Sequence, residues 1–233
     1  MNILALDTST SQASVAITSA GIVAAEATFT CNRSLSARLV PEIEHLLSLA
    51  GLTIKDVDLF AASTGPGSFT GVRCGVATVQ GLALATGKPC VGFSSLAMLS
   101  MNFSLVTHPV CALLDARKSE VYAGLYDCSN GTPTPLISDC VMPIEQFLEL
   151  ISAFDSRPVV CVGEGALRYQ ETIVSRMGQR ALFAPFSLHT GRAAHGALLA
   201  LEAYHNGTTL SPAALLPDYI RASEAELARR AKG

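Results

Sequence analysis

Residues Gly65–Ala85 read GPGSFTGVRCGVATVQGLALA, and the interpretation of the whole chain starts there. An apolar run, Asp58–Ser63, leads into the stretch as a strand. A glycine turn follows, in which Pro66 fixes its own φ while Gly65, Gly67 and Gly71 permit dihedrals that a Cβ forbids. Thr70 is the expected N-cap of the helix that comes next. A glycine turn entering a helix can bind phosphate through bare amides, but the spacing here is G-x-G-x-x-x-G, one residue too long for a dinucleotide fingerprint. The following strand, to Phe93, ends without the acidic residue that would hold a ribose. No Gly-Lys-Ser/Thr follows, so the turn is not a P-loop. In the helix, Cys74, Gly75, Thr78, Gly81 and Ala85 recur at spacings of three and four and give one side small residues. Glycine inside a helix costs about 1 kcal/mol relative to alanine, so two of them need a reason. Close approach of another backbone is the usual one, and it can come from the chain's own sheet or from a second subunit.

The 233 residues suit one large domain or two small ones. With 49% apolar and 15% charged residues, the chain fits a well-buried α/β protein. The net charge is −3, and the 16 Lys and Arg are scattered. That argues against this chain gripping RNA alone, because phosphate neutralisation needs clustered cations. Seven cysteines without C-x-x-C or metal spacing read as small core residues in a reduced cytoplasm. Ile3–Leu6 is too short for a signal-peptide core, and the apolar stretch at 72–85 is too interrupted to span a bilayer.

In chain order, an apolar strand ends on Asp7 and a polar turn, Thr8-Ser9-Thr10-Ser11, follows. Two strands come next, at 14–18 and 22–28. A helix over 36–50 buries Leu39, Ile43, Leu46 or Leu47, and Ala50, with Pro41 expected to bend it or mark its start. The strand and helix of the glycine stretch lead to a strand at 89–93 and a short helix at 95–102. The second half repeats this order. It has an apolar strand ending on Asp115, strands at 120–127 and 136–141, and a helix starting at Pro143. A strand at 158–162, a helix at 166–177, a short strand at 181–184 and a helix at 190–206 capped by Thr190 complete it. Three strands, helix, strand, helix, strand, helix, given twice, is the pattern of an α/β protein with two tandem ribonuclease H-like lobes, the actin and Hsp70 architecture. The lobes are expected at 1–104 and 105–233, with the last helix able to return to the N-terminal lobe.

Several motifs resemble one family in its own order: Ile3-Leu-Ala-Leu-Asp7-Thr-Ser9, GPGSFTGVR with the downstream QGLAL, Leu114-Asp115-Ala-Arg117 with Glu120-Val-Tyr122, and Pro217-Asp-Tyr219-Ile-Arg221. The chain resembles the bacterial TsaB (YeaZ) family along nearly its whole length. The resemblance implies a non-catalytic partner of TsaD, the transferase that places threonylcarbamoyl on adenosine 37 of tRNA. It implies recruitment of the ATPase TsaE, tRNA contact only through the complex, and a homodimer when TsaD is absent. It also implies that the first two long helices form the helical interface. The residues expected there are Leu39, Ile43, Leu46, Leu47 and Ala50 with Cys74, Gly75, Thr78, Val79, Gly81, Leu82 and Ala85.

Asp7, Thr8, Ser9 and Thr10 resemble the first phosphate loop of actin-like ATPases and are the candidate nucleotide contacts. The matching turn of the second half, Asp115-Ala-Arg-Lys-Ser119, has no glycine. No cofactor is therefore expected of this chain alone, with ATP or ADP contact only at a complex junction; the alternative is a small actin-fold ATPase or phosphotransferase using the Asp7–Thr10 loop. No metal is expected, because Ser94–Ser100 lacks the His-x-x-x-His pair of TsaD-type subunits. No catalytic residue is expected either: Ser68 in G-P-G-S-F is not a nucleophile elbow, and Glu26, Asp56 and Asp58 are the only carboxylates available for a nuclease cluster with Asp7. The tail, Ser223–Gly233, reads as a solvated helix or a disordered end.

Overall fold

The computed structural model describes residues 1–30 and 35–221; the tail at 223–233 lies outside them. The first sheet is built from β1 (Asn2–Asp7), β2 (Gln12–Ser19), β3 (Ile22–Thr30), β4 (Leu59–Gly65) and β5 (Cys90–Ser94), in the order β3-β2-β1-β4-β5. Its helices are α1 (Leu35–Leu49), α2 (Phe69–Thr86) and α3 (Ser95–Ser100). The second sheet has β6 (Val110–Arg117), β7 (Glu120–Asp127), β8 (Thr134–Pro143), β9 (Val159–Val162) and β10 (Ala181–Phe183), in the order β10-β9-β6-β7-β8. Helices α4 (Ile144–Phe154), α5 (Glu164–Arg168), α6 (Gln170–Met177) and α7 (Ala193–His205) accompany it in sequence. In each sheet the first three strands pair antiparallel and the later ones add in parallel. The doubled element order therefore folds as a doubled sheet.

β1 is central, and both of its faces are buried, which explains its uninterrupted apolar run. Leu4 and Leu6 point into a core with Val15, Ile17, Phe60, Leu39, Ile43 and Val76. Ile3 and Ala5 point the other way, against Ala193, Ala194, Ala197 and Ala200 of α7. The alanine side of α7 lets it lie close on the first sheet; a Cβ at Gly196 would sit 2.3 Å from the Phe93 ring. The chain after α7 also stays with the first lobe. Leu210 bridges Cys90, Leu215 joins the core, and the Asp218 amide donates to the Thr64 carbonyl at 2.8 Å.

Four local expectations are corrected. The α2 cap is Ser68, whose hydroxyl accepts from the Gly71 amide, so the helix starts before Thr70. α7 starts at Ala193 rather than Thr190, because the Thr190 hydroxyl is taken by the Gln12 side chain. Its first amides are instead satisfied from the sheet: Ala193 N–H donates to Ser14 Oγ at 2.9 Å and Ala194 N–H to Glu26 Oε1 at 3.0 Å. The expected helix at 166–177 breaks at Tyr169 into α5 and α6. Pro41 lies inside α1, which begins at Leu35, so it does not mark the helix start. Among the described residues no helix is long and apolar enough to cross a membrane.

Candidate functional site

The glycines of the organising stretch face the chain's own first turn. A Cβ on Gly67 would lie 2.2 Å from the Ser9 carbonyl oxygen, and one on Gly71 would lie 2.1 Å from that of Thr8. On Gly75 it would lie 2.4 Å from Thr8 Oγ1. Hydrogen bonds close the socket: Ser68 N–H donates to Ser9 O at 2.6 Å, and Thr8 Oγ1 donates to Gly71 O at 2.7 Å. The Asp-Thr-Ser and glycine motifs are thus two halves of one joint.

This joint divides the candidate phosphate loop. Thr8 is 1% exposed, and its hydroxyl is committed to Gly71; burial removes it from the candidate ligand contacts. Asp7, Ser9 and Thr10 do line a cavity of about 360 Å³ between the lobes. Asp7 is 2% exposed, and burial raises its carboxyl above the ordinary value. Its Oδ1 accepts the Ser9 amide at 3.0 Å. Asp115 does not line this cavity. It holds Arg168 at 3.3 Å and the Tyr169 hydroxyl at 3.1 Å. Glu164, Gly191 and His189 line the cavity instead, and sequence reasoning singled out none of them for it. No local signal marks them, because they converge on Asp7 only when the second lobe closes over the first. The other carboxylates considered for a nuclease cluster have separate tasks: Glu26 caps α7, Asp58 accepts the Asn2 amide at 2.9 Å, and Asp56 caps at Thr53.

The helical interface residues also separate. Leu39, Ile43, Leu46, Leu47 and Val79 are at most 5% exposed and are spent on the first lobe's core. Gly75 is closed by Thr8. These six are corrected from surface to interior. At 100° per residue, Cys74, Thr78, Gly81 and Ala85 point away from the side that Val72, Val76, Val79 and Ala83 bury, while Gly75 falls on the flank. Cys74, Leu82 and Ala50 are half-buried against the core, and the Thr78 hydroxyl bonds Cys74 O. Gly81 and Ala85 are exposed, and nothing lies within 4 Å of where a Gly81 Cβ would stand. Leu84 on α2 and Leu49 on α1 are 74% and 64% exposed.

The Pro-Asp-Tyr-Ile-Arg motif fastens the lobes together. Tyr219 stacks on Phe69 with ring centroids 4.5 Å apart, and its hydroxyl accepts from Arg73 Nε at 2.6 Å. Arg73 lies 3.8 Å from the Phe69 centroid. Arg221 donates to Ala116 O at 2.7 Å and pairs with Glu120 at 2.9 Å, both on the second sheet. A second tie joins the lobes where Ser94, which caps α3, donates to Asp139 Oδ2 at 2.5 Å. The Tyr126 hydroxyl donates to the other oxygen of Asp139. Burial raises the Asp139 carboxyl, and burial followed by the adjacent carboxylate raises the Tyr126 phenol.

Two duplicated lobes around a cleft define an actin-like fold. The structure resembles the ROK hexokinase of Thermus thermophilus with a TM-score of 0.53 at 12% identity, over 89% of this chain and 100% of that one; this is a likeness of fold alone. A family model described as TsaD, tRNA N6-adenosine threonylcarbamoyltransferase, matches residues 5–228. The tRNA threonylcarbamoyladenosine biosynthesis protein TsaB of Bacillus subtilis (strain 168) is 30% identical over 226 residues, 97% of this chain and 96% of its own. YeaZ from Pseudomonas aeruginosa superposes with a TM-score of 0.81 at 34% identity, covering 94% of this chain and 99% of that one. Within the wider TsaD-like group, the chain belongs to the TsaB (YeaZ) family.

Proposed function

We propose that this protein is a non-catalytic, cytoplasmic subunit of tRNA threonylcarbamoyladenosine synthesis that works by holding a TsaD-type transferase. The observation that carries this is the outward side of α2, where Gly81 and Ala85 leave the backbone bare beside the exposed Leu84. Small residues let a second helix approach closely, and the exposed leucine supplies apolar area to bury. On α1, Leu49 is also exposed, at 64%. The same surface would pair two copies when the transferase is absent. Recruitment of TsaE and contact with tRNA then follow from the assembled complex, and ATP or ADP meets this chain only at a junction within it.

The test is Gly81→Leu, mixed with the TsaD-type protein of the same cell and followed by light scattering. Leucine suits a helix better than glycine, and the site is open, so the chain folds. Loss of the heteromeric species with an unchanged monomer supports the assignment. Undiminished association of both Gly81→Leu and Leu84→Arg refutes it.

A further inference from the structure

The cavity between the lobes has a chemical character that neither the scaffold role nor a nucleotide explains. At its floor Asp7 is 2% exposed; its Oδ1 accepts Ser9 N–H at 3.0 Å, and the Ser9 and Ser63 hydroxyls also act on the carboxyl. Oδ2 faces Gly191, where a Cβ would lie 3.5 Å away. Apart from the Asp7 carboxyl, the buried hydroxyls of Ser9 and Ser63 have no hydrogen-bond partner among the described residues. Glu164, in the first turn of α5, stands on the rim, and partial burial followed by the Asp115 charge raises its carboxyl. No Lys or Arg lines the cavity. The His189 ring is held by the backbone: Nδ1 lies 3.1 Å from both the amide and the carbonyl of Gly163, and Nε2 lies 2.9 Å from Ala184 O. Two amides of the turn are already used, Ser9 N–H by Asp7 and Ser68 N–H by Ser9 O. Met98, Leu99, Leu114 and Leu167 make one wall apolar, and Ser11, Gln12 and Ser95 are among the uncharged polar residues of the rest.

A phosphate placed here would meet carboxylates with no Lys or Arg to offset them. A positively charged donor meets the reverse: a buried carboxylate at the floor, a second carboxylate at the rim, and hydrocarbon between. A divalent metal is poorly served, because among the described residues no three His, Cys, Asp or Glu side chains converge. The volume of about 360 Å³ falls in the small-molecule range of about 300–1,000 Å³.

We propose that the cleft between the lobes binds a small aliphatic ammonium compound, its charged head on Asp7 Oδ2, its hydrocarbon against Met98, Leu99 and Leu167, and a second amine, where present, on Glu164. The site is independent of the outward side of α2 and does not require the transferase.

The experiment is isothermal titration of the full chain with n-butylamine and 1,4-diaminobutane, with n-butanol and Mg-ADP as contrasts. Saturable one-to-one binding of both amines is expected, with none for n-butanol or Mg-ADP. Asp7→Asn is expected to weaken both amines at least tenfold. Glu164→Gln, a rim change at the start of α5 that keeps the side chain's size, is expected to weaken the diamine at least threefold and n-butylamine less; it keeps the test decisive if Asp7→Asn does not fold. No saturable amine binding at millimolar concentration overturns the proposal. So does equal binding of n-butanol, binding of Mg-ADP in place of the amines, or a diamine affinity that Glu164→Gln does not change.

Discussion

Alanine at Gly75 and alanine at Gly81 should have opposite effects, although both replace a glycine in the same helix. At Gly75 the new methyl would lie 2.4 Å from Thr8 Oγ1. Ordinary contact begins near about 3.5 Å, so the hydroxyl must retreat by about 1 Å. Thr8 is 1% exposed and its hydroxyl is bonded to Gly71 O at 2.7 Å, so it cannot retreat and keep that bond. Overpacking costs about 1–3 kcal/mol, and an unsatisfied buried polar group about 1–3 kcal/mol. Relief of the glycine helix penalty returns about 1 kcal/mol. The net loss is about 3 kcal/mol. At Gly81 only the helix term acts, because nothing lies within 4 Å, and stability rises by about 1 kcal/mol. Urea denaturation followed by circular dichroism reads the difference as midpoints displaced to either side of the parent. A Gly75→Ala protein as stable as the parent, or more so, refutes the socket. The double variant Thr8→Ala/Gly75→Ala should cost about 0.5–3 kcal/mol less than the sum of its parts.

Ser68→Ala removes the α2 cap and should cost about 1 kcal/mol in the same urea assay. Tyr219→Ala removes the Phe69 stack and the Arg73 bond, which should cost about 1 kcal/mol and speed proteolysis of the segment after Leu215. Burial raises Asp7, Asp139 and Glu164, so each holds its proton more tightly folded than unfolded. Their contribution to stability is therefore greatest at low pH and is lost as pH rises from the ordinary values of 3.8 and 4.5 through the folded ones. Asp56, Asp127 and Asp155, lowered by hydrogen bonds, act in the opposite sense but below 3.8. Asp139→Asn should flatten the fall in urea midpoint between pH 4 and pH 7, and an unchanged slope refutes this account of Asp139.

The doubled order of strands and helices could be read from the chain because it is written locally. Period-two and period-3.6 apolar spacing, and a carboxylate at each first-strand end, depend on neighbours a few residues apart. Asp7, as the end of a buried strand, was legible for that reason. The role of Thr8 was not, because its partners Gly71 and Gly75 lie more than sixty positions away, and only pairing of β1 with β4 brings them together. Glu26 gave no sign that it caps α7, since 168 residues separate it from Ala194.

The sequence by itself determined the class of each element, the twofold repetition and the family motifs. Tertiary structure alone decided which glycine was a socket and which a bare outward surface. A missing Cβ is the same chemistry at Gly75 and Gly81; its meaning is set by what stands opposite, and that is a property of the assembled sheet and not of the helix. The same holds for the cleft, whose acidic character exists only because α5 and the segment before α7 close over the end of β1.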